Sequence, residues 1–402
     1  MARGLLQGLA SAALALALSA CAAGGFAIGD RVITFPWDAP QTGVADTPMT
    51  TLPMAPSQSF GNGPVQVALL LPLSDPNLSG AATALANGAR LAMGFIEANP
   101  NIAENITVTL RDSGTGAGSA SQAASAAVQA GASLILGPLA VDQVMAAGTV
   151  AKGAGIPLIG FAGDASAASP GVYLLSVLPE AQMKRSLDYL VGKGQRGFAA
   201  AFPATAYGAA QERAFRQAVA AIGLSPAAVY TYGSAAEAQG IVQQALPMLR
   251  NGYVDTLFLP DRAVAPDFGA LLQQAGISGL QVVGSTDWDG DGRLAQMPGL
   301  TGAIYPTPDP GGLMAIAGDY QGRFGSPPPQ LATLAYTAVI LANVKTLSMS
   351  NPRYGAAALT TVSGFNGRDG VFRFLANGQS QYGLVIKQMG NGGASVVEGA
   401  KL

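Results

Sequence analysis

The chain has 402 residues, of which 49% are hydrophobic and 11% charged, and its formal net charge is −2. That is enough apolar sequence for two sizeable cores, and no basic run offers a footprint for nucleic acid. There is no histidine and a single cysteine, Cys21, which excludes Ser-His-Asp and Cys-His catalysis, histidine-ligated metals and any intramolecular disulfide.

At the N-terminus, Arg3 supplies a thin positive region and Leu5 to Leu18 an apolar one, the layout of an export signal. Leu18-Ser19-Ala20-Cys21 resembles the lipobox of bacterial lipoproteins. The resemblance implies a signal peptide over 1–20 and an acylated Cys21 as the mature N-terminus. The alternatives are an ordinary secretory signal with a chance cysteine, or an anchor that is retained. Ala22, rather than Asp, follows the cysteine and resembles an outer-membrane address. Several acyl chains on one cysteine hold a protein stably at a bilayer surface. Residues 21–64 carry six prolines (36, 40, 48, 53, 56 and 64) among Thr, Ser, Gly and Gln without a sustained period, and are expected to be a disordered or extended tether. Phe35-Pro36-Trp37 within it is a local apolar dock or a partner motif. Beyond the N-terminus no run approaches the ~20 apolar residues of a spanning helix.

Val65 to Leu71 is a short apolar run closed by Pro72, the pattern of a strand buried on both faces. A polar loop, Asp75 to Gly80, leads into a helix with Leu85, Ala89, Ala92 and Ile96 on one face. Strand, loop, helix opens a doubly wound α/β domain, in which ligands bind beyond the carboxyl ends of the strands; Ser74 is therefore the first candidate site residue. Ile106–Arg111 alternates as a strand, and Ser119–Ala130 is a small-residue helix. Ala132–Leu139 is a strand with a Gly-Pro turn, Val141–Lys152 a helix, and Ile156–Asp164 a fourth strand and its loop. Short connections between such units imply a parallel sheet. The order then repeats, with a helix over 181–193, a strand over 197–203 and further units to Gly284. Later come a strand over 302–306, helices over 313–324 and 331–347, and strands over 371–375 and 382–388 around a hairpin signal at Asn377-Gly378. Two serial sets without a Pro-rich linker between them predict two lobes facing a cleft.

Val67–Leu73, Gly131–Leu139 and Ile156–Ile159 resemble the type I periplasmic-binding-protein fold, an α/β fold of two doubly wound, Rossmann-like lobes with a central cleft. The Ala-Leu-Leu-Leu-Pro-Leu and Gly-Pro-Leu pieces look like the C-terminal domain of lipoprotein activators of penicillin-binding proteins. The Tyr207-Gly208 loop and Gly370–Phe374 look like branched-chain amino-acid receptors of ABC transporters. The resemblance covers about residues 65–390. It implies a domain over 65–402 with three crossings, lobe one spanning 65–177 and 306–380 and lobe two 178–305 and 381–402. It also implies a non-enzymatic protein of the periplasm, lipid-anchored to the outer membrane, without cofactor or metal. Its partner would be a peptidoglycan synthase that it stimulates or, alternatively, a permease to which it delivers a branched-chain amino acid or another small solute.

In the amino-acid receptors, hydroxyls and backbone N–H groups after the third and fourth strands hold the ligand carboxylate. The matching stretches here are Pro138-Leu139-Ala140-Val141 and Gly160-Phe161-Ala162-Gly163-Asp164. They carry no hydroxyl, and Asp164 repels a carboxylate at close range. Leu139, Ala140, Gly160, Phe161 and Ala162 are therefore expected to line an apolar cleft that docks a protein, unless Phe161 is plain core. Tyr207 sits where the receptors place an aromatic over the ligand; its alternative is packing on the neighbouring helix. Asp261 and Asp287 end two lobe-two strands and either meet a cationic group or cap the next helix. Asp287-Trp288-Asp289-Gly290-Asp291-Gly292 imitates the start of an EF-hand loop, but the twelfth position is Pro298 instead of the bidentate Glu. No nucleophile motif, phosphate loop or dinucleotide fingerprint is present, which leaves only a paired-carboxylate hydrolase as an enzymatic reading.

Overall fold

The computed structural model describes residues 57–390 and 392–402, preceded by two short strands, β1 (Phe26–Ile28) and β2 (Arg31–Ile33), which pair antiparallel. The expected signal peptide, Cys21 and Phe35-Pro36-Trp37 lie outside the described residues. Residues 55–402 form one compact unit.

The first lobe begins with β3 (Gln58–Phe60) and β4 (Val65–Leu71), followed by α1 (Ser79–Ala98), β5 (Ile106–Asp112), α2 (Ala117–Gln129) and β6 (Leu134–Leu136). Then come α3 (Val141–Gly153), β7 (Leu158–Gly160) and β8 (Val172–Leu174). Its sheet has the order β3-β5-β4-β6-β7-β8, parallel except for β3. Of β4 only Gln66 is exposed, because both faces of the sheet are covered by helices. Leu85, Ala89, Ala92 and Ile96 are all buried, as the 3.6-residue period requires; burying a Leu or Ile side chain is worth about 1.5–3 kcal/mol. The tether expectation needs two corrections. β3 falls inside it and extends the sheet edge by pairing with β5, and β1 pairs with β2 further upstream.

The second lobe holds α4 (Pro179–Gly192), β9 (Phe198–Pro203), α5 (Ala206–Ala221), β10 (Ala228–Tyr232) and α6 (Ala238–Arg250). It continues with β11 (Thr256–Phe258), α7 (Ala265–Gln274), β12 (Gln281–Val283) and β13 (Ile304–Thr307). The chain returns to the first lobe as α8 (Pro310–Phe324), α9 (Ala332–Asn343), α10 (Lys345–Ser348) and α11 (Ala356–Leu359). A small antiparallel sheet follows, of β14 (Phe365–Gly367), β15 (Gly370–Phe374) and β16 (Ser380–Tyr382). Finally β17 (Leu384–Gly390) and β18 (Gly393–Lys401) add antiparallel to β13, giving the second sheet the order β10-β9-β11-β12-β13-β17-β18. The parallel strands of both lobes thus follow one doubly wound order, with a switch point between β4 and β6 in one and between β9 and β11 in the other.

β13 lies wholly in the second sheet and β16 in the small one, so the passages between lobes fall after Leu174, after Thr307 and at Gly383. The hairpin signal at Asn377-Gly378 marks a real turn, but it joins β15 to the short β16. The long strand after it departs for the other lobe, because its apolar face completes the second core.

Two close approaches fix the first lobe. A Cβ on Gly88 of α1 would sit 2.1 Å from the Ala332 carbonyl oxygen of α9. One on Gly137 would sit 2.1 Å from the Leu70 carbonyl oxygen, and Gly137 also has φ +79°, where glycine alone is unstrained. Asn105 and Asn343 lock the same helix to β5: the Asn105 N–H donates to Asn343 Oδ1 at 2.8 Å and Asn105 Nδ2 to the Asn343 carbonyl at 2.8 Å.

The passages are stitched by Arg185 of α4, 4% exposed. Its Nε donates to the Leu384 carbonyl at 2.7 Å and its Nη2 to the Gly399 carbonyl at 3.0 Å, and Nη2 also lies 2.7 Å from the Glu398 carboxylate.

Candidate functional site

On the first lobe, the carboxyl ends of the strands are less accessible than the sequence suggests. Phe161 is 2% exposed and belongs to the main core, and Gly160 and Ala162 are buried with it. The expectation that these three line an open cleft is corrected. The β7 loop turns inward because the Phe161 N–H donates to the Pro138 carbonyl and the ring fills space behind Gly137. Leu139 and Ala140 remain half-buried at the start of α3, and Leu139 packs on the same core. Ser74 is exposed, but its backbone N–H donates to Asp112 Oδ1 at 3.2 Å. Asp164 is not free either. Its Oδ1 accepts from the Ser166 N–H at 2.8 Å, and Arg213 of α5 reaches across from the other lobe to both carboxylate oxygens at 3.3 Å. Burial raises the Asp164 pKa, but the Ser166 bonds and the Arg213 charge outweigh it and hold the group below the usual carboxylate range.

On the second lobe, Tyr207 lies at the start of α5, 37% exposed. Its hydroxyl lies 3.2 Å from Ser285 Oγ and 3.4 Å from the Pro260 carbonyl, and Ser285 Oγ donates to that carbonyl at 2.8 Å. Tyr207 thereby ties the ends of β11 and β12 together. Burial and the negative charge of Asp287 push its hydroxyl well above an ordinary tyrosine. Asp261 acts as a local cap, with Oδ1 accepting from the Ala263 N–H at 2.9 Å and Oδ2 from the Tyr232 hydroxyl at 3.2 Å.

Asp287 is exposed on the wall of a pocket of about 510 Å³ between the lobes. Ser176, Gln182, Arg262 and Thr286 share that wall, and the first lobe contributes Leu331 and Asp369. This pocket sits at the passage side of the cleft, and of the loops at the switch points only the one after β11 reaches it, through Arg262. Of the nine predicted cleft residues it contains only Asp287. Asp369, in the turn between β14 and β15, is 2% exposed. Its Oδ1 accepts from Gln330 Nε2 at 2.7 Å and lies 2.6 Å from the Thr333 hydroxyl, while Oδ2 is buried without a partner, as is the Tyr382 hydroxyl. Burial raises its pKa to about 6 against those two bonds. Nothing local in the sequence marks it, since an Asp between Gly367 and Gly370 reads as a solvated turn residue.

Two of the three carboxylates of the 287–292 loop are spent on neighbours within the protein. Asp289 Oδ1 accepts from Tyr305 at 2.9 Å and from Lys387 at 2.7 Å, and Oδ2 from Thr307 at 3.0 Å, while Asp291 pairs with Arg293. Among the described residues no three Cys, Asp or Glu side chains converge as metal ligands, and no helix is long and apolar enough to cross a membrane.

Comparison with known proteins fits this architecture. A family profile described as periplasmic binding protein matches residues 64–394. The chain belongs to the periplasmic binding protein family. No curated protein sequence matches it. Among solved structures, a Rhodospirillum rubrum protein assigned to branched-chain amino acid ABC transport superposes with a TM-score of 0.71 at 19% identity, covering 83% of this chain and 99% of that one. LivJ of Streptococcus pneumoniae, solved with isoleucine, gives 0.57 at 21% identity, covering 83% and 99%. The LpoA C-domain of Haemophilus influenzae, a regulator of PBP1A, gives 0.61 at 16% identity, covering 83% and 99%. At these identities the likeness is one of fold. A periplasmic binding protein is a leucine-binding-like, non-catalytic binding module of the cell envelope, and its structural relatives include both transport receptors and a synthase regulator.

Proposed function

We propose that this protein is a non-enzymatic lipoprotein, tethered through Cys21 to the outer membrane, that docks on a penicillin-binding protein and regulates peptidoglycan synthesis. The observation that supports it is the state of the first-lobe wall. Where amino-acid receptors offer hydroxyls to a ligand carboxylate, this chain buries Phe161 and Ala162 and carries the Asp164 carboxylate, held by Arg213 of the opposite lobe. The paired Asp164 carboxylate offers a ligand carboxylate no donor there, and its cross-lobe pair favours one arrangement of the lobes over a hinge that closes on a ligand. The regulator among the fold's relatives supports the same reading.

A second reading, a substrate-binding protein for an ABC transporter, draws on the pocket of about 510 Å³ and its Arg262 and Asp287, which have the charges to meet a zwitterion. Affinity capture from membranes with the full chain separates the two: penicillin-binding proteins are expected in the eluate, and permease subunits in their place overturn the proposal. Calorimetry with leucine, isoleucine and valine is expected to show no micromolar binding, since a dissociation constant near 1 μM requires about 8 kcal/mol. Mass spectrometry of the mature protein is expected to show an acylated Cys21, and an unmodified peptide beginning elsewhere removes the anchor from the scheme.

A further inference from the structure

The first lobe carries a second pocket of about 260 Å³ between α1, α9 and the β14–β15 hairpin. Phe95, Tyr336, Ile340, Phe365 and Phe372 supply its largest apolar side chains. Phe372 is fully buried behind it, whereas Phe95 is 44% exposed. The rings are set against one another, with Phe95 and Tyr336 centroids 6.5 Å apart and Phe365 and Phe372 5.7 Å apart. The walls stand on two helices and a hairpin, so the cavity is shaped by regular elements and not by a loop tip. An apolar recess of this kind gains by excluding water.

One charged group completes it. Arg368, in the turn of the hairpin, lies with its guanidinium carbon 4.9 Å from the Tyr336 ring centroid, and its Nη2 donates to the Tyr336 hydroxyl at 3.3 Å. Its backbone N–H is fixed by Thr337 Oγ1 at 2.9 Å. Among the described residues no carboxylate lies within 4 Å of its guanidinium to form an ion pair. The neighbouring Asp369 is turned to Gln330 and Thr333 instead. The pocket therefore combines an aromatic and aliphatic wall with one oriented cation whose five donors are largely unspent.

We propose that this pocket binds a small amphiphilic carboxylate, with its apolar body against Phe95, Ile340 and Phe365 and its carboxylate on Arg368. A cation of the same shape meets repulsion from Arg368, and a neutral isostere forgoes the charge-assisted hydrogen bonds. The site shares no lining residue with the interlobe pocket and does not rest on the regulatory reading above.

The test uses octanoate, octan-1-ol and octylammonium, each titrated calorimetrically into the full chain below its micelle concentration. Octanoate is expected to bind saturably at one site, octan-1-ol at least tenfold more weakly, and octylammonium without saturation. Arg368→Gln is expected to bring octanoate down to the affinity of octan-1-ol. Ile340→Trp, which fills the recess from a half-exposed position, is expected to abolish binding of both while circular dichroism stays native. Absence of saturable octanoate binding, equal affinity for octanoate and octylammonium, or unchanged binding by folded Ile340→Trp overturns the proposal.

Discussion

Replacing Asp369 by Asn separates the cost of a buried charge from the value of the bonds around it. The carboxyl is 2% exposed, accepts only through Oδ1, and has its pKa raised from 3.8 to about 6 by burial. The folded state therefore holds the proton more tightly than the unfolded chain. Its contribution to stability is full below pH 3.8, is lost as pH rises through about 6, and stays lost above that. Each pH unit of altered proton affinity is about 1.4 kcal/mol, so the ionised group costs about 3 kcal/mol at pH 8 and less than about 1 kcal/mol at pH 4. Asn keeps an acceptor for Gln330 and Thr333 and never ionises. Urea unfolding followed by far-ultraviolet circular dichroism, wild type against Asp369→Asn at both pH values, is expected to give a stability difference that shifts by about 2–3 kcal/mol in favour of the variant at pH 8. A difference that is the same at pH 4 and pH 8 refutes the reasoning, because it means that the carboxyl is not paying for its ionisation in the folded state.

Arg185→Ala removes a buried guanidinium from two carbonyls and a carboxylate at once and is expected to cost about 3–5 kcal/mol by chemical denaturation. Gly137→Ala combines a forbidden Cβ contact with a left-handed backbone and is expected to leave little folded protein on expression, measured as yield and thermal transition. Phe161→Asp places an unpaired charge in the first-lobe core and is expected to unfold that lobe; a variant with a native melting curve contradicts its placement. Tyr207→Phe loses only the two long bonds at the ends of β11 and β12, and a thermal scan is expected to show a loss of about 0.5–1 kcal/mol.

The apolar runs were readable because a strand covered on both faces has to be apolar throughout, as Val67–Leu71 and Phe198–Phe202 are. β3 was not readable, since Gln58-Ser59-Phe60 lies among prolines and glycines and is a strand only because β5 offers it an edge. β18 was missed for a related reason: Gly393-Ala394-Ser395 has no period, and its partner β17 supplies the register. Loop positions were legible but their exposure was not. Whether Phe161 faces a cleft or a core depends on how Gly137-Pro138 turns above it, which is a tertiary fact. The pocket walls were the least legible, because Asp369, Gln330 and Arg368 come from the returning segment, far along the chain from the switch-point loops of their own lobe.

Neither lobe is made from one stretch of chain, and this sets the timetable of assembly. The first core closes only when α9 reaches α1, as in the Asn105–Asn343 lock across 238 positions. The second sheet gains its last strands only with residues 384–401. Whether a ribosome or a translocation pore feeds the chain out N-terminus first, the strands of β4 to β8 emerge before α9, one of the helices that cover them. Such long-range closure is slow, and uncovered strands are exposed to aggregation meanwhile. The same sequence thus delays its own burial, remaining threadable until residues 384–401 have appeared.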